Sequence, residues 1–193
     1  MKAQFAVCCL LQSATISMVA LPASAKGALI VPGHAVGSLR LGARDAVLQK
    51  LGHALPKHEG DTAMGRTWTT YKSNNGSHSL SVYTTRDGTG LITTICQVRI
   101  DSPYFHTSQG VHAGDNLLRI LRVFPHARLA SRFTASNKRV DLYDDKKNGI
   151  AFEFKPAADA SQERCIAILI HPHGKSVTEE YSSEYEDLDD KPA

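Results

Sequence analysis

The sequence has little of what enzyme active sites and membrane spans are commonly built from. Aromatic residues make up 7% of the 193 residues, and there is one tryptophan. Beyond the N-terminal region, no stretch approaches the roughly 18 consecutive apolar residues that cross a membrane. The catalytic motifs G-x-S-x-G and H-E-x-x-H and the phosphate-binding P-loop do not occur. We therefore predict a protein that is not an enzyme, with no catalytic residues and no cofactor.

The N-terminus is typical of a secretory signal peptide. Lys2 precedes an interrupted apolar stretch, and Ala23-Ser24-Ala25 is a small-residue cleavage site. We expect residues 1–25 to be removed, which leaves a periplasmic or secreted protein without a transmembrane segment. Export also disfavours nucleic acid as a partner.

Cysteine is scarce once the signal peptide is set aside. Cys96 and Cys165 remain, each inside an apolar run that is typical of a strand. In an oxidising compartment they are a possible disulfide, provided that their Cα atoms lie within about 7 Å. The alternative is a pair of buried free thiols that act as small apolar side chains.

The chain carries an internal repeat. Residues 36–52 return in weakened form as residues 108–124, with Gly42 matching Gly114 at a separation of 72 (114 − 42). Tyr71 and Tyr143 keep this separation. We predict repeat one at 26–105 and repeat two at 106–175, each with one helix and a meander of three antiparallel strands. The strands are expected at 66–72, 79–84 and 91–100 in repeat one and at 139–143, 150–155 and 164–170 in repeat two. The predicted class is α+β, with both meanders in one sheet and the helices on one face.

Strand alternation divides the predicted sheet into two faces. The apolar set is expected to meet the helices and form the core. It comprises Trp68, Leu80, Val82, Cys96, Val98, Ile100, Val140, Leu142, Phe152, Phe154, Ile168 and Ile170. The opposite set is rich in Tyr and Arg, which often anchor protein interfaces. Its predicted partner-binding residues are Tyr71, Tyr83, Gln97, Arg99, Arg139, Tyr143 and Lys155. The alternative is an ordinary solvated sheet face.

Charge is distributed unevenly along the chain. Residues 26–175 contain 20 Lys or Arg and 12 Asp or Glu, whereas residues 176–193 contain 7 acids and one Lys. The end of the chain is therefore predicted to be an acidic, disordered tail. A basic segment precedes it, and its arginines could meet an anionic envelope polymer or lipid, or form a plain solvated surface. These arginines are Arg119, Arg122, Arg128 and Arg132.

Histidine is abundant, and His171-Pro172-His173 is the best candidate for metal binding. Residues i and i+2 of an extended chain share one side, and neutral imidazole suits zinc or copper. A third ligand would have to come from His106 or His112. Because nothing in the sequence brings these residues together, we predict a polar strand end and no metal site.

Several of these residues carry a family resemblance. Leu39-Arg40-Leu41-Gly42, Val47, Leu51-Gly52 and Pro56, followed by a meander with Tyr and Trp, resemble the repeat of outer-membrane-assembly lipoproteins of the SmpA/OmlA type. The tandem form resembles the family of secreted two-repeat beta-lactamase inhibitor proteins. The resemblance implies two repeats joined into one sheet whose open concave face grips another protein. The second repeat departs from the pattern with Phe124-Pro125, and no contact residue of the family can be carried over.

Two functions follow as hypotheses. The first is an exported, non-enzymatic protein that uses an open sheet face to hold a periplasmic or envelope protein, as an enzyme inhibitor or an assembly factor. The alternative is a structural envelope protein that binds an anionic cell-wall polymer or lipid through the basic segment.

Overall fold

The protein is mostly β, with 48% strand and 10% helix. The computed structural model describes residues 29–51, 57–59, 65–73, 76–135 and 137–178. The predicted α+β class is wrong because the two helices of the described residues are only seven residues long, too short to make a helical layer. They are a 3₁₀ helix at Asp45–Leu51 and α1 at Leu117–Val123. None of the helices in the described ranges is long and apolar enough to cross a membrane. The predicted signal peptide and residues 179–193 of the predicted tail lie outside the described residues.

The smaller sheet has four strands of two or three residues. They are β1 (Leu29–Val31), β2 (Ala35–Val36), β3 (Leu39–Arg40) and β8 (His106–Thr107). The order is β3-β2-β1-β8, antiparallel except for the parallel pair of β1 and β8. Buried Ile30, Val36 and Leu39 belong to the main hydrophobic core, so this sheet closes part of that core.

The larger sheet has eight strands in the order β4-β5-β6-β7-β12-β11-β10-β9. They are β4 (Lys57–Glu59), β5 (Arg66–Lys72), β6 (Ser79–Arg86), β7 (Thr93–Ile100), β9 (Arg128–Ala135), β10 (Lys138–Asp145), β11 (Ile150–Lys155) and β12 (Arg164–Ile170). Every neighbouring pair is antiparallel. β7 and β12 meet at the centre, where Ile100 pairs with Ile168 and Val98 with Ile170.

One side of the large sheet, here called the core face, packs against the main core. Its fully buried residues include Val82, Val98, Phe152, Phe154 and Ile168. The helices add further buried side chains to this core, namely Leu48, Leu117 and Ile120. Burial of these apolar groups is the main stabilising contribution of this face.

The opposite side, here called the second face, is also covered at its centre. Leu142, Ala151 and Leu169 pack there with Val177, which follows the last strand. Gln97 donates from Nε2 to the Val177 carbonyl at 2.9 Å. The segment Ser176–Thr178, predicted as the start of the disordered tail, therefore lies against the sheet.

The predicted division of residues between the two faces is wrong in β5 and β10, and also for Cys96, which lies at a bulge of β7 and packs on the second face. Directly paired residues of neighbouring strands point to the same face. Tyr71 pairs with Leu80 and Tyr143 with Phe152, which places both tyrosines on the core face. The expected core residues on the same strands lie on the second face instead; they are Trp68, Val140 and Leu142.

Candidate functional site

Tyr71 stands between two clefts on the core face and is the best-placed residue for binding. It lies near the end of β5, where it is half-buried beside the main core. Burial raises the pKa of its phenol above the ordinary value, so the group stays neutral and acts as a hydrogen-bonding tip on an apolar ring. This is the arrangement by which tyrosine anchors protein contacts.

The first cleft lies between the 3₁₀ helix and the strands β5 and β6, with a volume of about 420 Å³. Its wall is rich in hydroxyls because alternate residues of β5, Thr67, Thr69 and Tyr71, point to the same side. The remaining lining residues are Asp45, Ala46, Leu48, Gln49, Gly65, Thr84, Arg86 and Thr93. Such a lining offers donors and acceptors to the backbone of a bound segment.

The second cleft, on the other side of Tyr71, has a volume of about 240 Å³ and an apolar floor. That floor consists of Leu51, Tyr71, Leu80 and Phe105. A polar rim surrounds it, made of Lys72, Ser73, His78, Ser79 and Ser102. The cleft combines an apolar pocket of side-chain size with peripheral donors, which is typical of a small binding site.

Asp101 holds the rim of the second cleft in place. Its carboxylate accepts from the Ser79 backbone N–H at 2.6 Å and from the Ser79 hydroxyl at 2.5 Å. His78 Nδ1 lies 3.6 Å from the same carboxylate. The start of β6 and the end of β7 are thereby tied together beside the pocket.

The predicted partner-binding residues do not form one open surface. Tyr83 is 3% exposed and Gln97 is 1% exposed, so neither is available to a partner. Arg99 on the second face makes a bidentate ion pair with buried Glu153 at 2.7 and 3.0 Å. Lys155 is exposed at the end of β11.

Tyr143 and Arg139 lie on the core face at the far end of the sheet. Tyr143 packs edge-on against Phe154, with the ring centroids 5.4 Å apart. Burial, with smaller contributions from the carboxylates of Glu163 and Asp141, raises the pKa of its phenol. Arg139 pairs with Asp141 at 3.1 Å. This tyrosine is thus part of the packing and is a poor candidate for a binding anchor.

Three of the four arginines of the predicted basic segment already have partners inside the protein. Arg119 pairs with Asp115 at 2.6 Å, and Arg132 lies 3.7 Å from Asp141. Arg128 donates to the carbonyls of Pro125 and Ala127 at 2.7 and 2.8 Å. Arg122 is exposed on α1.

A basic cleft of about 550 Å³ lies at the end of β9 and β10. Its cationic side chains are those of Arg128, Lys146 and Lys147, with His126 and the Ser176 and Thr178 hydroxyls beside them. Leu129, Ala130 and Asp144 complete the lining. The sequence does not reveal this cleft because its residues come from three separate segments.

Asp144 also organises a buried polar group on the second face. It accepts from Val177 N–H at 3.0 Å and from the Ser176 hydroxyl at 3.1 Å. The fully buried His171 places Nε2 2.9 Å from Asp144 Oδ1, an ion-pair distance without the alignment of a hydrogen bond. The serine contacts the carboxylate and not the imidazole, so the group lacks the order of a nucleophile, base and orienting acid. We interpret it as the attachment of Ser176–Thr178 to the sheet.

The two cysteines are free thiols on opposite faces of the sheet, so the possible disulfide is not formed. Cys165 belongs to the main core, whereas Cys96 lies on the second face with Trp68 and Tyr83. Burial strongly raises the pKa of the Cys165 thiol, which keeps it protonated.

The histidines of His171-Pro172-His173 point in different directions. His171 is buried against Asp144, whereas His173 is exposed. Within the described part of the chain, no group of three or more His, Cys, Asp or Glu is placed to hold a metal ion. His106 and His112 are linked to each other by an isolated β-bridge and join neither of these histidines in such a group.

Comparisons with known proteins give no functional assignment. No protein-family model matches the chain, and no curated protein matches it. The crystal structure of the uncharacterized protein yfeY from Escherichia coli is similar, with a TM-score of 0.49 and 13% identity, covering 73% of this chain and 98% of that one. A likeness at this level carries no argument about function. The resemblance to SmpA/OmlA-type repeats and to the inhibitor family stays a prediction from the sequence.

Proposed function

We propose that this protein is an exported, non-enzymatic binding protein that receives a peptide segment or loop of a partner protein in the two clefts beside Tyr71. The observation that carries the proposal is the position of Tyr71 between an apolar pocket and a hydroxyl-lined cleft. The pocket fits one apolar side chain, and the hydroxyls suit an extended backbone. The partner is a periplasmic or envelope protein, which the protein inhibits or helps to assemble.

The expected binding free energy follows from one apolar side chain of the partner, buried in the apolar pocket. Filling an apolar pocket with a leucine or aromatic side chain contributes about 1.5–3 kcal/mol. Loss of that contact weakens binding by roughly 10- to 100-fold, since 1.4 kcal/mol corresponds to a factor of ten.

Site-specific photocrosslinking in the host envelope tests this proposal. A photoreactive amino acid at Gln49, which is exposed and lines the first cleft, should give one discrete adduct that mass spectrometry identifies. Adding Tyr71→Ala to the same chain should remove the adduct. The matched control places the probe at Arg122, which is exposed on α1. A Gln49 adduct that survives Tyr71→Ala, or equal adducts from both positions, would contradict the proposal.

The basic cleft favours a second candidate function, the binding of an anionic envelope polymer or lipid. Three cationic side chains, those of Arg128, Lys146 and Lys147, converge there with two hydroxyls. Because such binding is electrostatic, it should weaken strongly between low and moderate salt. Vesicles containing an anionic lipid provide the test: Lys147→Ala should reduce binding at low salt, whereas Tyr71→Ala should not.

A further inference from the structure

Two histidines from opposite ends of the described chain meet at the surface. His34 lies in the turn between β1 and β2, and His173 follows β12, 139 residues later. Their Nε2 atoms are 3.2 Å apart. The ring centroids are 4.7 Å apart, and the ring planes are inclined by 66°. Both side chains are exposed, so the pair is open to ions from solvent.

His173 has a defined tautomer. Its Nδ1 lies 3.1 Å from the Lys147 carbonyl oxygen. A carbonyl oxygen only accepts, so the proton of the neutral ring lies on Nδ1 and a lone pair remains on Nε2. The same contact between a ring N–H and a backbone carbonyl orients histidine ligands at metal centres.

Two glycines allow the close approach of the segments that carry the pair. A Cβ on Gly33 would lie 2.2 Å from His173 Nε2, so a larger residue there would displace the imidazole. Gly33 N–H donates to the Gly149 carbonyl at 3.0 Å, and a Cβ on Gly149 would lie 2.7 Å from Gly33 Cα. The His173 ring is therefore placed by the backbone and is not a freely moving surface side chain.

We propose that His34 and His173 together chelate one divalent transition-metal ion, with water filling the other positions. Two Zn–N bonds of about 2.0–2.1 Å opened to the tetrahedral angle place their nitrogens roughly 3.3–3.4 Å apart. The observed 3.2 Å matches this separation. Imidazole nitrogen favours Cu²⁺, Ni²⁺ and Zn²⁺ over Mg²⁺ and Ca²⁺, which prefer oxygen.

Metal binding at this place would link the first turn of the small sheet to the end of β12. A ligand that binds only the folded state stabilises it by mass action. The bound ion therefore raises the midpoint temperature of unfolding. The inference is independent of the Tyr71 clefts, since none of their lining residues belongs to this pair.

The test uses the full chain, purified without a histidine tag and titrated with Cu²⁺. Electron paramagnetic resonance with electron-spin-echo detection distinguishes one imidazole ligand from two. We expect one equivalent of Cu²⁺ with two imidazoles. His34→Ala and His173→Ala should each weaken binding at least tenfold. His126→Ala removes another exposed histidine and is the matched control, with unchanged binding.

Folding of the variants is checked by circular dichroism without metal. His34→Ala is the decisive variant because its ring is exposed in a turn, whereas His173 packs over Gly33. A one-imidazole spectrum, or full affinity in His34→Ala, would place the ion elsewhere and overturn the proposal. Absence of binding at a tenfold excess of Cu²⁺ would also overturn it and leave the pair as a hydrogen bond between two imidazoles.

Discussion

Tyr71 and Tyr143 occupy matching places in the two halves of the large sheet, yet their surroundings differ. Each points to the core face and pairs with an apolar residue of the next strand, Leu80 or Phe152. Tyr71 has a cleft on each side. Tyr143 packs against Phe154, and the ion pairs of Asp141 lie near it.

The described edge strands beside the two tyrosines also differ. Beyond β10 lies β9, seven of whose eight residues pair with β10, and Leu129 is directly opposite Tyr143. Beyond β5 lies β4, whose three described residues pair with β5 as far as Thr70. The same residue type on matching strands is therefore a packing element beside Phe154 in one half and the wall between two clefts in the other.

The largest difference in stability between the two halves of the large sheet is expected when their carboxylates Asp144 and Asp101 are replaced. Asp144→Ala leaves the buried Val177 N–H and the Ser176 hydroxyl without their acceptor, and each unsatisfied buried donor costs about 1–3 kcal/mol. Asp101→Ala should cost about 1 kcal/mol because its hydrogen bonds are partly exposed. Urea denaturation of both variants measures the difference. Equal losses would show that the two halves are held together in the same way.

The two tyrosines should separate stability from binding. Tyr143→Ala removes a ring packed on Phe154 and should lower the free energy of unfolding by about 2–3 kcal/mol. Tyr71→Ala should cost about 1–2 kcal/mol, because its ring borders two open clefts, and should abolish the Gln49 crosslink. Thermal unfolding and crosslinking on the same variants check this. A Tyr143→Ala chain that is fully stable but loses the crosslink would reverse the roles assigned to the halves.

Thiol reactivity should also distinguish the halves. Cys165 is 2% exposed, and its pKa is raised by burial, so little reactive thiolate forms in the folded protein. Cys96 is partly accessible beside Thr85. We expect iodoacetamide to modify Cys96 in the native state and Cys165 only after unfolding, as peptide mass spectrometry can resolve. Equal native labelling would mean that the main core around Cys165 opens readily in the folded protein.

The smallest predicted effect is a loss of folding stability at alkaline pH. Burial raises the pKa of Tyr71 and of Tyr143 in the folded state. Above about pH 10 the unfolded chain loses these phenol protons while the folded chain keeps them, so stability falls as pH rises. Tyr71→Phe and Tyr143→Phe should each reduce this fall, measured as the urea midpoint at neutral and alkaline pH. An unchanged pH dependence in both variants would remove the tyrosines as its cause.

Local sequence patterns were sufficient to locate six strands of the large sheet. The predictions 66–72, 150–155 and 164–170 coincide with β5, β11 and β12. Alternating apolar residues bounded by Asn and Gly turns are a local signal, and local signals survive in a single sequence. β9 was missed because most of its side chains are exposed and it has no apolar alternation.

The tertiary structure alone decided which side of each strand faces the core. Alternation has a period of two and therefore divides residues into two sets, without saying which set a neighbouring strand will match. Strand register placed Tyr71 with Leu80 and Tyr143 with Phe152. Val177, from beyond the last strand, then covered a face that the sequence suggested was open. Both decisions depend on contacts between residues far apart in the chain, which no local pattern records.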